Sequence, residues 1–365
     1  MSERVALYEL SRAELGKLLS DWGEPRFRAD QVWGWLYRSL VADFEAMTNL
    51  PARLRARLAA EAKLSPLTPI AEQVSASGQT RKVLFRLGDG NSLESVLMRY
   101  QERRTACIST QVGCGMGCTF CATGQGGLAR NLTAGEIVAQ VIYFAQEIRA
   151  AELENARARG KRQELSVHPV SNIVLMGMGE PLANYDATWQ AIETLTDPGG
   201  YTLGARRITL STVGLIPGIR RLAKEGLPLN LAVSLHAPDD ELRDRLVPIN
   251  RRYPLADLMR AIGEDIDRNR RRVTFEYALI AGVNDSTEQA RRLAALLHGI
   301  LGHVNLIPLN PTPGSPLRPS SREQVAAFRD ELETRGIPTT VRMRRGIDIE
   351  AGCGQLRQRQ TRESG

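Results

Sequence analysis

The amino-acid sequence predicts an α/β protein built on a parallel sheet, which is either doubly wound or rolled into a partial barrel. The main observation is that strand patterns and helical patterns alternate six times from about Thr105 onward. Repeated strand–helix units of this kind build a parallel sheet. Before them, residues 9–61 have the periodicity of short helices, and residues 80–100 alternate apolar and polar side chains around a Gly-Asp-Gly-Asn turn. We therefore expect a small helical domain and a β-hairpin ahead of the sheet.

The helical domain opens with a helix-start motif. Ser11 followed by Glu14 is a capping box, in which each side chain accepts a hydrogen bond from the other residue's backbone N–H. A second helix has Val32, Leu36 and Leu40 at a spacing that places them on one buried face. A proline then opens a third helix.

Six strands are predicted in the second part of the chain. Helical patterns separate them, such as the one capped by Thr133 with Glu136 three residues later. Polar or glycine-rich loops follow five of the strands: the cysteine-rich loop, GMGEP, STVG, SLHAP and LNPTPG. Both candidate folds place functional groups at the carboxyl ends of strands, so we expect these loops to form one rim that holds a large ligand. The predicted strands are Ala106–Thr110, Asn172–Met176, Arg207–Ser211, Asn230–Leu235, Val273–Ile280 and Val304–Pro308.

The composition limits the classes of protein to which the chain can belong. Of its 365 residues, 42% are hydrophobic and 24% are charged, which is typical of a globular protein. Apolar runs fall short of the roughly twenty residues that cross a bilayer, and the N-terminus has no signal-peptide core. Five cysteines, most of them clustered, argue against a disulfide framework and for a reducing compartment. We expect a cytoplasmic protein with no membrane association, and the net charge of +7 favours a polyanionic partner such as nucleic acid.

Three of the five cysteines lie within the short stretch GCGMGCTFCATG. Cys114, Cys118 and Cys121 have the spacing C-x3-C-x2-C. Structural zinc sites require four ligands, usually in two separated pairs. Three thiolates instead suit a [4Fe–4S] cluster that leaves one iron open to a further ligand, and the intervening glycines let the backbone wrap closely around it. The alternatives are a zinc knuckle and a group of unligated thiols.

The other two cysteines lie far apart in the sequence. Cys107 falls in the first predicted strand, and Cys353 lies in GIDIEAGCGQL near the C-terminus. An isolated cysteine is more often a small buried hydrophobic residue than a functional one. Cys353, however, has a glycine on each side and no apolar periodicity around it. This pattern indicates a thiol presented to a ligand, because glycines allow the backbone to approach closely.

At these residues the sequence resembles the radical S-adenosylmethionine (SAM) superfamily. Nearly end to end it resembles the RlmN family of RNA adenine-C2 methyltransferases, through RFRADQV, STQVGCGMGCTFCATG, RNLT, MGMGEPL, SLHAP, VPIN, GVND, NLIPLNP and GIDIEAGCGQL. The resemblance implies a partial (β/α)6 TIM-like radical SAM barrel. It also implies four parts: a helical accessory RNA-binding domain at 1–70, a β-hairpin linker at 71–99, the radical SAM core barrel at 100–346, and a C-terminal segment at 347–365 with the methyl-carrying cysteine and a basic tail.

The resemblance assigns the cofactors. Cys114, Cys118 and Cys121 would hold the [4Fe–4S] cluster, whose open iron binds the amino and carboxylate groups of SAM. The loop residues suit this ligand, since Glu180 can accept a hydrogen bond from an ammonium group and Asn310 can bond the adenine or ribose. Taken singly, a strand-end serine is usually a cap and an Asn-Pro pair is usually a turn. The predicted SAM contacts are Gly179, Glu180, Ser211, Ser234, Leu235, His236 and Asn310.

The resemblance also implies a reaction, methylation of C2 of adenine 2503 in 23S rRNA and of adenine 37 in tRNA. Two SAM molecules are used per turnover, one as methyl donor and one as radical source. Cys353 takes the first methyl group as S-methylcysteine, and its carbon then becomes joined to the adenine. Glu94 is the proton acceptor for C2, although a glutamate on a hairpin strand is normally solvated. Cys107 resolves the protein–RNA adduct through a transient disulfide with Cys353.

Two other functions remain open at this point. The first is methylation of C8 of the same rRNA adenine, as in the related Cfr family, although the stretches MGEPL and NLIPLNP favour RlmN. The second is a non-enzymatic iron–sulfur or zinc RNA-binding protein. It would have no use for Cys107 or Cys353.

The expected partners are 23S rRNA, tRNA, an electron donor such as a flavodoxin-type system, and a disulfide reductant. The chain is expected to be a monomer. The target adenine must leave its stack to reach the barrel, which costs least in an unpaired loop. Phosphates could be held by the arginine-rich helices and by the basic stretches at 159–163, 268–272 and 342–346, of which the last is preferred because it leads to Cys353. Residues 357–365 are predicted to be disordered.

Overall fold

The protein is described from a computed structural model, which covers residues 4–159, 165–312, 315–343 and 345–356. The basic stretch at 159–163 and the C-terminal tail at 357–365 therefore lie almost wholly outside the described residues, as does Arg344 in the third basic stretch. Within the described part of the chain, no helix is both long and apolar enough to cross a membrane.

The N-terminal region is a small helical unit, as predicted. It contains β1 (Val5–Ala6), α1 (Arg12–Asp21), α2 (Phe27–Gly34), which continues as one π-helical turn at Trp35–Ser39, α3 (Ala52–Glu61) and β2 (Ala62–Lys63). The Ser11–Glu14 capping box is confirmed, with N–H to side-chain oxygen distances of 3.2 and 2.8 Å. Val32, Leu36 and Leu40 are buried as expected, and β1 pairs with β2 in parallel.

Three antiparallel strands follow: β3 (Thr68–Val74), β4 (Thr80–Arg86) and β5 (Ser92–Arg99). The predicted hairpin is β4–β5, and its turn is closed by the bond from Leu87 N to Asn91 O. The sequence pattern did not reveal β3. These strands do not form a free linker, because β5 pairs with the first strand of the parallel sheet and extends it.

The remaining strands are β6 (Arg104–Cys107), β7 (Gln111–Gly113), β8 (Leu128–Asn131), β9 (Asn172–Leu175), β10 (Ile208–Thr212), β11 (Asn230–Ser234), β12 (Val273–Leu279), β13 (Gly302–Pro308) and β14 (Thr339–Val341). The six predicted strands correspond to β6 and β9–β13, and all neighbours among them pair in parallel. β14 adds a parallel strand beyond β13 that was not predicted, while β7 and β8 form a separate short ribbon. The main sheet has ten strands in the order β14-β13-β12-β11-β10-β9-β6-β5-β4-β3.

The helices between the strands are α4 (Ala122–Gln125), α5 (Ala134–Ala158), α6 (Tyr185–Thr196), α7 (Ile216–Leu222), α8 (Asp240–Leu246), α9 (Leu255–Asn269), α10 (Thr287–Leu296) and α11 (Arg322–Thr334). The predicted capping box at the start of α5 is confirmed. Gln140 of α5 is fully buried and attaches the helix to the sheet. Its amide bonds the Ser95 hydroxyl on β5 and both the N–H and the carbonyl of Ser109 after β6.

The parallel sheet is strongly curled. Cys107 on β6 and Ile307 on β13 line one cavity, although four strands lie between them. Strands are spaced by about 4.8 Å, so a flat sheet would hold these two strands about 24 Å apart. The order of the described strands does not close on itself, so the sheet is a partial barrel with a gap between its edges.

The C-terminal segment, residues 345–356, crosses this gap. It leaves β14 at one edge of the sheet and bonds the β3–β4 region at the other. The Asp348 carboxylate accepts from Ala76 N at 2.8 Å, and the Glu350 carbonyl accepts from Lys82 Nζ at 3.2 Å. This crossing brings Cys353 to the carboxyl-terminal rim of the barrel.

We predict that Gln140→Leu destabilises the protein by about 3 kcal/mol, because it leaves three buried polar groups on β5 and the β6–β7 turn without their partner. The thermal unfolding midpoint measures the effect. The exposed substitution Glu154→Gln on the same helix is the control. Equal midpoints for the two variants would contradict the role given to Gln140.

Candidate active site

A cleft lies at the carboxyl-terminal rim of the barrel and encloses about 1030 Å³ including its open mouth. This is enough for a ligand the size of a nucleoside cofactor. Its wall is made by the cysteine loop on one side, by the ends of β9 to β13, and by residues 353, 354 and 356 of the C-terminal segment. The predicted gathering of the strand-end loops on one rim is therefore confirmed.

Cys114, Cys118 and Cys121 all line this cleft. The loop that carries them is fixed at both ends, because Cys114 N donates to Gly127 O at 2.8 Å and Thr119 N donates to Leu246 O at 3.1 Å. Gly113 begins the loop with a φ of +78°, and a Cβ there would lie 2.0 Å from the Gly127 oxygen. Only glycine fits at this position, so part of the glycine richness of the loop has a geometric cause.

The three thiols are chemically suited to an iron–sulfur cluster. Burial raises the pKa of all three, that of Cys114 to about 12, so without a metal they are neutral. A metal removes the protons and uses the thiolates as ligands. Within the described residues, no three His, Cys, Asp or Glu side chains converge as they would on a single metal ion. This is compatible with a [4Fe–4S] cluster, because each thiolate then binds a different iron atom.

Glu180 and Gly179 follow β9 and lie on the wall of the cleft. The Glu180 carboxylate accepts from Leu182 N at 3.1 Å and from Val213 N at 2.9 Å, and burial raises its pKa to about 7. Gly179 has a φ of +103°, and a Cβ there would lie 2.6 Å from Gln111. The carboxylate is thus held rigidly by two loops, and a cationic ligand group would stabilise its charged form.

His236 lines the cleft, and a backbone hydrogen bond to its ring determines its tautomer. Its Nδ1 accepts from Ala278 N at 3.0 Å, so in the neutral ring the proton is on Nε2. Burial lowers its pKa to about 3, which keeps the ring neutral. The ring packs edge-on against Phe120 at 4.7 Å, and its backbone is left-handed with a φ of +63°. His236 can therefore act as a hydrogen-bond donor and not as an acid.

Asn310 follows β13 and has an unused acceptor. Its Nδ2 donates to the carbonyl of Cys353 at 3.1 Å, which fixes the amide orientation. Its Oδ1 is buried and has no partner within the described structure. A buried acceptor without a donor is costly, so a ligand N–H or O–H in the cleft would stabilise it.

The remaining predicted SAM contacts divide into two groups. Ser211 and Ser234, at the ends of β10 and β11, line the cleft. Leu235 is fully buried and is not part of the wall; its N–H donates to Glu276 O. Any contact from Leu235 to a ligand would thus have to involve its backbone.

Cys353 lies on the wall of the same cleft, opposite the sheet. Its position is fixed by the bond from Asn310 to its carbonyl and by the bond from Ala122 N, in the cysteine loop, to Gly354 O at 2.8 Å. Gly352 packs so closely that a Cβ would lie 2.6 Å from Asn310. The flanking glycines therefore permit a close approach between the C-terminal segment and the rim.

A second cavity adjoins the cleft and is lined by both isolated cysteines, Cys107 and Cys353, together with Tyr100 and Arg342. Both thiols are free. Cys107 is buried on β6, and burial raises its pKa to about 12, with a smaller contribution from nearby Cys353. The structure therefore brings together two cysteines that are 246 residues apart in the sequence.

Glu94 is not the exposed side chain expected for a hairpin strand. It is 1% exposed, and its Oε1 lies 3.2 Å from Nζ of the equally buried Lys82. It is not among the residues that line the cleft or the second cavity. Its strand register nevertheless puts it on the face of the sheet that carries Cys107.

Arg243 is the most completely buried charged group of the rim, and the sequence patterns did not reveal it. Its guanidinium bonds the carbonyls of Leu235 and Val213 and the Asn250 side chain at 2.7–3.0 Å. Burial lowers its pKa to about 10. It joins the ends of β10 and β11 to α8, and its charge lowers the pKa of Cys118. An arginine on an otherwise ordinary short helix has no sequence feature that distinguishes it.

Arg342 and Glu276 were also missed. Both line the cleft, and Arg342 lines the second cavity as well. The pKa of Arg342 is raised, chiefly by Cys353, with further contributions from Glu276 and Cys107. In the sequence, Glu276 is one polar residue within an apolar strand pattern. A charged residue in a strand that is expected to be buried is uncommon, and this was the signal that could have identified it as a site residue.

The basic stretches were predicted to bind RNA phosphates, but in the described residues several of their arginines contact the protein itself. Arg342 faces the cysteines, and Arg345 stacks on Tyr100 with a ring distance of 4.4 Å, so neither extends freely toward a phosphate. The stretch at 268–272 ends immediately before β12 begins, at the end of the sheet opposite the cleft. Arg271 there bonds Leu229 O and Asn230.

Comparison with known proteins identifies the class first. The family model described as "Radical SAM superfamily" matches residues 108–294, about half of the chain, and this span contains the three clustered cysteines and β9 to β12. The fold and the cleft are thus those of a radical SAM enzyme. The predicted fold class is confirmed, and membership of this superfamily implies a [4Fe–4S] cluster and SAM as cofactors.

More specific matches extend over the whole chain. The model described as "Ribosomal RNA large subunit methyltransferase N-terminal domain" matches residues 5–64. A "Probable dual-specificity RNA methyltransferase RlmN" from Chloroflexus aurantiacus is 54% identical over 97% of this chain and 93% of its own. The "Dual-specificity RNA methyltransferase RlmN 1" of Myxococcus xanthus is 49% identical over 96% and 94% of the two chains. The crystal structure of a radical SAM methyltransferase from Sphaerobacter thermophilus has 53% identity and a TM-score of 0.89, and covers 97% of this chain and 99% of its own.

The chain belongs to the RlmN family of radical SAM methyltransferases. The predicted family and the predicted enzyme class are both confirmed by these matches. The alternative of a non-enzymatic RNA-binding protein is excluded.

We predict that Gly113→Ala abolishes stable binding of iron, because a methyl group there would collide with the Gly127 carbonyl and displace Cys114. Iron and acid-labile sulfide per chain, measured after anaerobic reconstitution, report the effect. Gly115→Ala is the matched control, since its Cβ would make only ordinary contacts of 3.7 Å with Leu128. Equal iron content in the two variants would contradict the proposed geometry of the loop.

Proposed function

We propose that this chain methylates C2 of adenine in both 23S rRNA and tRNA, at adenines 2503 and 37, with Cys353 as the intermediate methyl carrier. The observation that carries the proposal is the position of Cys353. It lies between the cleft that contains the three clustered cysteines and the second cavity that contains Cys107. The relatives named dual-specificity RNA methyltransferases support the choice of two RNA substrates.

The cofactors would be held in the cleft, with the cluster on Cys114, Cys118 and Cys121. When bound, the cluster and SAM supply a carbon-centred radical. For SAM, the rigid carboxylate of Glu180, the donor on His236 and the unused acceptor of Asn310 provide polar contacts of three different kinds. Gly179, Ser211, Ser234 and the backbone of Leu235 complete the proposed set. Two molecules of SAM would be used in each turnover.

Cys353 would act first as a nucleophile. Its thiolate attacks the methyl carbon of one SAM, the carbon–sulfonium bond breaks, and S-adenosylhomocysteine leaves with the bonding pair. Adenine C2 is electron-poor and cannot make this attack itself. The guanidinium of Arg342 lies beside Cys353, in the second cavity that both residues line.

Glu94 and Cys107 would act after the methyl carbon has become joined to the adenine. Glu94 accepts the C2 proton. Its buried carboxylate suits this role because it lies on the same face of the sheet as Cys107. The thiolate of Cys107 then attacks the sulfur of Cys353. The sulfur–carbon bond breaks, the released carbon takes a proton, and a Cys107–Cys353 disulfide remains. An external disulfide reductant restores both thiols, and a flavodoxin-type system would supply electrons to the cluster.

The RNA must present an unstacked adenine at the rim. Loop adenines in rRNA and tRNA are suitable because they cost little to extract. The helical N-terminal region would contribute phosphate contacts through its exposed arginines. The chain is proposed to act as a monomer in the cytoplasm.

The function is tested by nucleoside mass spectrometry, with separation of isomers, on 23S rRNA and tRNA from cells with and without the gene. We expect gene-dependent 2-methyladenosine in both RNA pools. Its presence in rRNA alone would restrict the substrate to rRNA, and gene-dependent 8-methyladenosine would assign Cfr-type chemistry instead. No change in either pool would refute the proposed function.

The two isolated cysteines should give opposite defects. Cys353→Ala should abolish methylation without forming any adduct, because the methyl carrier is absent. Cys107→Ala should accumulate a covalent protein–RNA adduct, because the last carbon–sulfur bond cannot be broken. Denaturing gel electrophoresis with nuclease treatment measures the adduct. The double variant is the control and should carry no RNA; a Cys107→Ala protein free of RNA would refute the role of Cys107.

A further inference from the structure

Lys82 is a buried lysine beside the carboxylate that the proposed function uses as a base. It lies on β4 and is 3% exposed, and its Nζ lies 3.2 Å from Oε1 of Glu94, which is 1% exposed. Both charged groups have been removed from water. The desolvation cost of such a pair can exceed its attraction, so a buried ion pair is weak evidence for a role in stability alone. The pair therefore calls for a functional explanation.

The strand register places this ion pair on the reactive face of the sheet. Lys82 is paired with Val96 across β4 and β5, and Val96 is paired with Cys107 across β5 and β6. Directly paired residues share a face, and so do residues two apart on one strand, which includes Glu94. Ser95 points to the other face, where it bonds α5. Lys82, Glu94 and Cys107 consequently lie on the inner face of the barrel.

Lys82 also contacts the C-terminal segment that carries Cys353, the proposed methyl carrier. Its Nζ donates to the carbonyl of Glu350 at 3.2 Å, three residues before Cys353. Glu350 has a left-handed backbone with a φ of +52°, a conformation that is unfavourable for residues other than glycine. Ala351 N bonds Gly346 O at 2.8 Å in the same turn. One ammonium group thus connects the base to a strained turn that leads to Cys353.

We propose that Lys82 is a positioning residue for the methyl transfer: its ammonium group orients the Glu94 carboxylate inside the barrel and couples it to the segment that carries Cys353. This inference rests on the proposed function. In the step concerned, Glu94 takes the C2 hydrogen of the joined adenine as a proton. The C–H bond breaks and its electron pair stays in the purine ring, and the one electron left over from the radical addition would pass to the iron–sulfur cluster that the proposed function places in the cleft. The ammonium group orients the carboxylate before the transfer and keeps its bond to the Glu350 carbonyl after it.

The test uses Lys82→Met, which keeps the length of the side chain and removes the charge. Three quantities are measured on the full chain with reconstituted cluster: S-methylation of Cys353, covalent protein–RNA adduct, and the isotope effect with RNA deuterated at adenine C2. We expect S-methylation to persist and adduct to accumulate. Formation of 2-methyladenosine should slow by roughly ten- to a hundredfold, since a general base contributes at least this much, and the isotope effect should increase. Lys82→Arg should restore most of the rate, and the exposed Lys224→Met is the control.

A role in folding alone predicts a different pattern, in which S-methylation, adduct and product all fall together and the isotope effect is unchanged. That result would overturn the proposal, as would a wild-type rate in Lys82→Met. The double variant Lys82→Met with Glu94→Gln removes both charges, so it tests the coupling even if the single variant folds poorly. It should be no slower than Glu94→Gln alone, and a much slower double variant would contradict action through Glu94. Wild-type protein that forms no 2-methyladenosine would instead refute the proposed function itself.

Discussion

The site depends on how the C-terminal segment is fastened across the open side of the barrel. Three hydrogen bonds fix the backbone around Cys353: one from Asn310, one from Ala122 of the cysteine loop to Gly354, and one from Lys82 to Glu350. They come from the loop after β13, from the cysteine loop and from β4, so this segment joins the two sides of an open sheet. A closed barrel would leave no space for it, and an unfastened segment would not hold the thiol over the cleft. The gap in the partial barrel is therefore what gives the segment that carries Cys353 its place beside the cleft.

Cys353 lies where two cavities with buried titratable groups meet. In the cleft, neutral His236, buried thiols and the raised pKa of Glu180 describe an environment that disfavours isolated charge and would gain from a bound cation or metal. Arg342 lines both cavities and brings a positive charge beside both isolated cysteines. Burial raises the pKa of Cys107 to about 12, and the charge of Arg342 offsets only a small part of this increase. The same thiol of Cys353 can thus meet different partners on its two sides.

Much of the fold was predictable because the periodicity of apolar residues and the capping of helices depend only on residues close together in the sequence. The six parallel strands, the β4–β5 hairpin and the capping boxes at Ser11 and Thr133 are encoded within a few residues each. β14 and β3 were missed because a short edge strand and a mostly exposed strand carry little apolar periodicity. The site was predictable where motifs mark it. Arg243, Arg342 and Lys82 were not, because a charge is recognised as buried only when distant elements surround it.

The most direct test of this account is to map cysteine pairing after turnover. The protein with reconstituted cluster is given RNA, SAM and a flavodoxin-type electron donor, but no disulfide reductant. Its free thiols are then alkylated, and linked peptides are identified by mass spectrometry. The account predicts one disulfide, between Cys107 and Cys353, which is absent from protein that has never met RNA. A disulfide that joins Cys353 to Cys114, Cys118 or Cys121, or product formation with no disulfide, would contradict the central position given to Cys353.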